Sequence, residues 1–129
     1  MSARTILTRK APAAVGPYAQ GVAAGGFVFV SGQLPLDPAT GELVPGDVKE
    51  QTARVMENIR AVLEAAGLDL DNVVKTTVFL RDINDFPAVN QVYAEYFMGG
   101  FPARSAVEVS ALPRGAAVEI EAVAWKPQG

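Results

Sequence analysis

Residues 47–80 read DVKEQTARVMENIRAVLEAAGLDLDNVVKTTVFL, and two different periodicities meet in that one stretch. Val48, Val55, Ile59, Val62, Leu63 and Ala66 recur at spacings of three and four or their sums, which predicts a helix with one buried face. Asp47 stands three residues before Glu50, a capping-box arrangement with Asp in place of Ser or Thr. Gly67 predicts a left-handed cap at the other end, and Glu50, Arg54, Glu57 and Arg60 fall on the solvated side. Val73–Leu80 (VVKTTVFL) is then β-branched and aromatic, and predicts a strand.

Working outward, Phe27–Ser31 (FVFVS) is a second strand bounded by Gly26 and Gly32. The stretch LPLDPATGELVPGD is punctuated by Pro35, Pro38, Gly41, Pro45 and Gly46 and reads as loop, while residues 11–26 read as irregular chain with turns. Downstream, a turn at Asp82–Asp85 leads into a second helix with Val89, Val92, Tyr93, Tyr96 and Phe97 as its apolar stripe, ended by Met98-Gly99-Gly100. Two strands follow, Arg104–Val109 and Ala117–Trp125, joined by a loop with Pro113 and Gly115. The order strand, helix, strand, helix, strand, strand predicts an α+β layer pair: a single mixed sheet with both helices packed on one face. With no repeat and no linker, residues 1–129 are one domain. The uncovered sheet face carries apolar residues, which copies of the chain could cover.

Composition excludes several chemistries. The chain has no histidine and no cysteine, so imidazole bases, thiolate nucleophiles, disulfides and the usual zinc ligands are all missing. A net charge of -3 without a Lys/Arg cluster argues against nucleic acid as a partner. No apolar run approaches a membrane span, and MSARTILTRKAP lacks the apolar core of a signal peptide, so a soluble cytoplasmic protein is expected.

The last two strands hold the candidate chemistry. Alternation puts Arg104, Ala106 and Glu108 on one face of their strand, and Glu119 and Glu121 opposite the apolar Val118, Ile120, Ala122 and Ala124. If the helices cover the apolar set, Glu119, Glu121 and Arg104 point to the far face. Charges there are either paired or at work. Arg104 can hold a carboxylate with two parallel hydrogen bonds, and a glutamate beside it can align or deprotonate water. The plainer reading is an interface salt bridge between them. Tyr18 in GPYAQG is a packed loop residue or a pocket wall, and Ser31-Gly32 is a turn or a close approach of ligand to backbone. Lys75 is a Schiff-base amine in principle, but in mid-strand it reads as a solvated charge, and Phe86, Asn90 and Tyr93 on the second helix read as core packing and capping.

GPYAQG, VSGQLPLDPATGEL, NIRAVLEAAGL, VVKTTVFLRDINDF, VNQVYAEYF and FPARSAVEVSALPRGAAVEIEAVAW together resemble the Rid (YjgF) family over about Ala11 to Trp125. The resemblance implies a chorismate-mutase-like fold and a homotrimer with clefts between subunits. It implies hydrolysis of 2-aminoacrylate and 2-aminocrotonate, as their imine tautomers, to 2-keto acids and ammonia, with no cofactor or metal. Carried over residue by residue, Arg104 would clamp the substrate carboxylate and Glu119 would position the water. Tyr18, Ser31 and Gly32 would line the cleft, with Phe86 and Asn90 near it. Ala106 stands where many deaminating relatives have Cys, and the Met98-Gly99-Gly100 link is short where relatives often have a longer loop. The alternative is a trimeric binder of small carboxylates such as 2-keto acids, without turnover; Glu119 is the residue such a binder would not need.

Overall fold

The computed structural model describes residues 3–127. Its six-stranded sheet contains β1 (Arg4–Ile6), β2 (Gly21–Ala24), β3 (Phe27–Gln33), β4 (Val73–Leu80), β5 (Ala103–Glu108) and β6 (Val118–Trp125), with helices α1 (Val48–Ala65) and α2 (Phe86–Ala94). The strands lie in the order β1-β2-β3-β6-β4-β5, all neighbours antiparallel except β4 and β5. The expected mixed sheet with two helices on one face is therefore present.

Helix α1 starts as its sequence dictates. The Asp47 carboxylate accepts from the Glu50 N–H at 3.0 Å, and the Glu50 side chain accepts in return from the Asp47 N–H. Val55, Met56, Ile59, Val62 and Leu63 are buried against Val28 and Val30 of β3, Val78 and Leu80 of β4, and Val118 and Ile120 of β6. That single cluster is the core, and alternation leaves the intervening strand residues facing away from it. The turn after α1 closes on Gly67, at φ 79°.

Three differences from the sequence reading have physical causes. Residues 11–26 are not irregular throughout, because Gly21–Ala24 is a strand, and Arg4–Ile6 pairs beside it. β1, three residues long, is too short to show alternation, and β2, GVAA, is short and rich in Gly and Ala; pairing of β2 with β3, and of β1 with β2, makes them strands. Helix α2 ends at Ala94 rather than near Met98, although Tyr96 and Phe97 still pack inward, Phe97 against Tyr93 at 4.9 Å between ring centroids. The third concerns Arg104. Parallel register sets Arg104 opposite Thr76 and Ala106 opposite Val78, both buried under the helices. Arg104 therefore lies on the helix side of the sheet, whereas Glu119, paired with Phe79, lies on the far side. Alternation fixes which residues share a face of one strand; only the pairing says which face of the sheet that is.

The far face carries Phe27, Phe29, Val107 and Trp125, all exposed in the single chain. Among the described residues, no helix is long and apolar enough to cross a membrane.

Candidate active site

The sequence-predicted residues fall into two clusters. The first surrounds a cavity of about 630 Å³ whose walls include Tyr18, Ser31, Gly32, Arg114, Glu119 and Glu121. The second is a groove of about 440 Å³ bordered by Asn90, Tyr93, Ala94, Phe101, Pro102 and Arg104. Within one chain the sheet separates Arg104 from Glu119.

The first cluster is built on a β-bulge. Val30 pairs with Ala122 and Gln33 with Ile120, so Ser31 and Gly32 together stand against one residue of β6, Glu121. Side chains and neighbours take up the bulge's loose ends. Ser31 N–H donates to the Gln20 carbonyl at 3.0 Å, Ser31 Oγ donates to the Ala19 carbonyl at 2.5 Å, and the Ser31 carbonyl accepts from Gln33 Nε2 at 3.1 Å. Ser31 is thus scaffold: its hydroxyl proton is already committed. Gly32 is needed for space, since a Cβ there would collide with the Glu119 carboxylate. Sequence offered a turn or a close approach of ligand to backbone at Gly32; the group that approaches it in this chain is the Glu119 side chain.

Buried Gln20, from GPYAQG, fixes the neighbouring wall. Its Nε2 donates to the Thr8, Ala11 and Pro12 carbonyls and its Oε1 accepts from the Thr8 N–H, so segment 8–12 is tied to Gln20, whose own carbonyl accepts from Ser31 of β3. Tyr18 stands at the rim, its hydroxyl accepting a long 3.4 Å bond from the Val15 N–H. Asn58, on α1, donates to the Leu34 and Leu36 carbonyls at 3.1 and 3.0 Å, holding the loop that forms the cavity's back.

Glu119 is half-buried, and burial, with Glu121 close by as a second negative charge, raises its pKa above the ordinary glutamate value. A carboxylate of raised pKa is a better proton acceptor, which suits the alignment of water. Arg114, which also lines the cavity, has no signal in the sequence that marks it as a site residue. It adopts a left-handed φ of 62°, in a turn whose Gly115 carbonyl accepts from Arg81.

Arg104 is held by neutral groups alone. Its Nη1 donates to Asn90 Oδ1 at 2.7 Å, and its guanidinium carbon lies 5.0 Å from the Phe86 ring centroid and 5.1 Å from that of Tyr93. No carboxylate pairs with it among the described residues, where the one salt bridge joins Arg60 to Glu57. Within one chain Arg104 and Glu119, on opposite sides of the sheet, form no salt bridge with each other. Helical spacing alone makes Tyr93 part of the core stripe, yet Phe86, Asn90 and Tyr93 are spaced four and three apart, one face of α2 aimed at Arg104. Ala106 lines neither space; half-buried, it packs against the core two residues along from Arg104. Among the described residues no group of acidic side chains is placed to hold a metal ion.

A family model described as Endoribonuclease L-PSP matches residues 8–126. The chain is 56% identical over 126 residues to a RutC family protein of Pyrococcus abyssi, covering 98% of this chain and 99% of that one. It is 57% identical over 121 residues to the 2-iminobutanoate/2-iminopropanoate deaminase of Capra hircus, covering 94% and 88% of the two chains. Among solved structures, YyfA from Yersinia pestis, of the conserved Rid protein family, superimposes with a TM-score of 0.93 at 51% identity, over 96% of this chain and 99% of that one.

Proposed function

The chain belongs to the Endoribonuclease L-PSP family, the Rid (YjgF) group its sequence resembles, and from that membership we propose that it is a hydrolytic enamine/imine deaminase. Its substrates are 2-aminoacrylate and 2-aminocrotonate as their imine tautomers, and its products are 2-keto acids and ammonia. The state of Arg104 carries the reading. A cation fixed by an amide and two aromatic rings, with no carboxylate of its own, is prepared for a small carboxylate from outside. Relatives named for deamination of 2-iminobutanoate and 2-iminopropanoate, both small 2-imino carboxylates, support it.

Arg104 and Glu119 lie on opposite sides of one sheet, so a site using both requires two copies. In our reading the far face, with Phe27, Phe29, Val107 and Trp125, is covered by a neighbouring copy in a homotrimer. Each cleft then combines Glu119 of one subunit with Arg104 of the next. The family description names an endoribonuclease, but a cavity with Glu119 and Glu121 against Arg114 is poorly suited to gathering phosphates.

The chemistry is balanced without a cofactor. Arg104 holds the carboxylate, and Glu119 accepts a proton from water as its oxygen bonds to the imine carbon. The proton taken by Glu119 passes to the imine nitrogen as the carbinolamine forms, and the carbinolamine hydroxyl gives up the second as it collapses. The C–N bond breaks, ammonia leaves, and the carbonyl of the 2-keto acid remains. Imines are already electrophilic, so a fixed carboxylate and a positioned water supply most of the acceleration.

The test follows 2-keto acid release from 2-aminocrotonate, generated in situ by a threonine dehydratase, with wild type beside Arg104→Ala and Glu119→Ala. Acceleration over the spontaneous rate, lost in Arg104→Ala and weakened in Glu119→Ala, supports the deaminase. A wild type no faster than the spontaneous reaction, yet binding 2-oxobutanoate through Arg104, would make the protein a carboxylate binder instead.

A further inference from the structure

We infer that Tyr93 is a positioning residue for Arg104, anchored by Thr76; this rests on the reading of Arg104 as the carboxylate clamp. Arg104 projects from an edge strand at the surface, where a long flexible side chain would ordinarily sample many rotamers. Binding a carboxylate through a planar fork needs one orientation, and ordering the side chain at that moment weakens binding. Three groups of α2 order it in advance: the Asn90 amide and the rings of Phe86 and Tyr93.

Of the two rings, Tyr93 has the firmer mount. Its hydroxyl lies 2.7 Å from Thr76 Oγ1, and both residues are almost fully buried, at 4% and 1% exposure. Thr76 is also the residue directly opposite Arg104 in the β4–β5 register. One strand position therefore fixes both the backbone of Arg104 and the ring beneath its guanidinium. Phe and Val would fill the same two places with no polar atoms to satisfy, so a buried hydroxyl pair here costs desolvation that packing alone would not require. Burial also raises the Tyr93 pKa, outweighing the Thr76 bond and the Arg104 charge, and the phenol stays neutral. A neutral ring steers the guanidinium without cancelling the charge meant for the ligand.

The experiment measures the dissociation constant of 2-oxobutanoate by calorimetry for the full chain carrying Tyr93→Leu, Tyr93→Phe or Thr76→Val, with and without Arg104→Ala, and circular dichroism checks each fold. Removing the ring in Tyr93→Leu is expected to weaken binding about tenfold, the range of a partly desolvated cation–π contact. Tyr93→Phe and Thr76→Val cut the same hydrogen bond and should each weaken it about threefold, their combination no more than either alone. With Arg104→Ala in place, none of the three should matter further, which distinguishes steering of Arg104 from general damage. Folded Tyr93→Leu binding as wild type does, or Tyr93 variants still weakening what binding remains without Arg104, would overturn the inference. Should Tyr93→Leu fail to fold, Tyr93→Phe and Thr76→Val decide it, and wild-type affinity in both refutes it. Wild-type affinity in Arg104→Ala itself would sink the clamp reading instead.

Discussion

The carboxylate of Glu119 lies directly over the Cα of Gly32, in the space a Cβ would need. The atoms in the way belong to the end of a flexible side chain, so Gly32→Ala should fold, with Glu119 pushed aside. A misplacement of about 1 Å near the chemistry can cost about a hundredfold in rate. We expect Gly32→Ala to lose kcat by about that factor, while its melting temperature and its affinity for 2-oxobutanoate stay close to wild type. Unchanged kcat would mean that Glu119 does not need this seat.

The raised pKa of Glu119 has two pH consequences. The proposed role of Glu119 as proton acceptor needs its carboxylate, so on that proposal kcat/KM should rise with pH through a limb lying above the ordinary glutamate range. Burial is the larger cause and Glu121 the smaller, so Glu121→Gln should move the limb to lower pH without returning it to the ordinary position. For stability, the folded form holds its proton longer than the unfolded chain does. Stability from this group is therefore present below the unfolded pKa and lost as pH rises through the folded one. Glu119→Gln should flatten that loss, as denaturant titrations at several pH values would read out.

Mixing tests whether the site is shared between copies. Arg104→Ala and Glu119→Ala are each expected to be impaired alone. Refolded together in equal amounts, about one quarter of the clefts should pair an intact Arg104 with an intact Glu119. Activity recovering to roughly that fraction of wild type supports the arrangement; a mixture no more active than its parents argues against it.

Asn58 should matter more to stability than to the reaction. It is fully buried and satisfies two loop carbonyls, Leu34 and Leu36. Asn58→Leu leaves both unpaired and should destabilise by about 2 kcal/mol in urea unfolding, the scale of stranded buried polar groups. A change below about 0.5 kcal/mol would indicate that water or a loop shift takes over.

The sequence was most legible where local rules agree. Asp47 and Glu50 announce the start of α1, and the stripe from Val55 to Leu63 names its buried face. It was least legible where pairing decides. Gly21–Ala24 has no intrinsic strand character, and neither Arg104 nor Glu119 carries any mark of which side of the sheet it occupies. Alternation already marked Arg104 and Glu119 as candidates, and resemblance supplied the roles proposed for them; that they lie on opposite sides of the sheet became visible only in the register of β5 and β6. Tyr93 was hidden because an aromatic at helical spacing looks the same whether it fills a core or steers an arginine.

Strand β6, which carries Glu119, sits between β3 and β4 although it follows all the other strands in the chain. A polypeptide emerging from the ribosome therefore first presents β1–β3 and β4–β5 as two separate ladders with no strand joining them. The sheet becomes continuous only when Val118–Trp125 inserts between them, and that same insertion delivers Glu119 to the bulge at Gly32. Completing the sheet and seating Glu119 against Gly32 are a single event, so a chain stalled before β6 carries the Arg104 cluster of β4, β5 and α2 without its Glu119 counterpart.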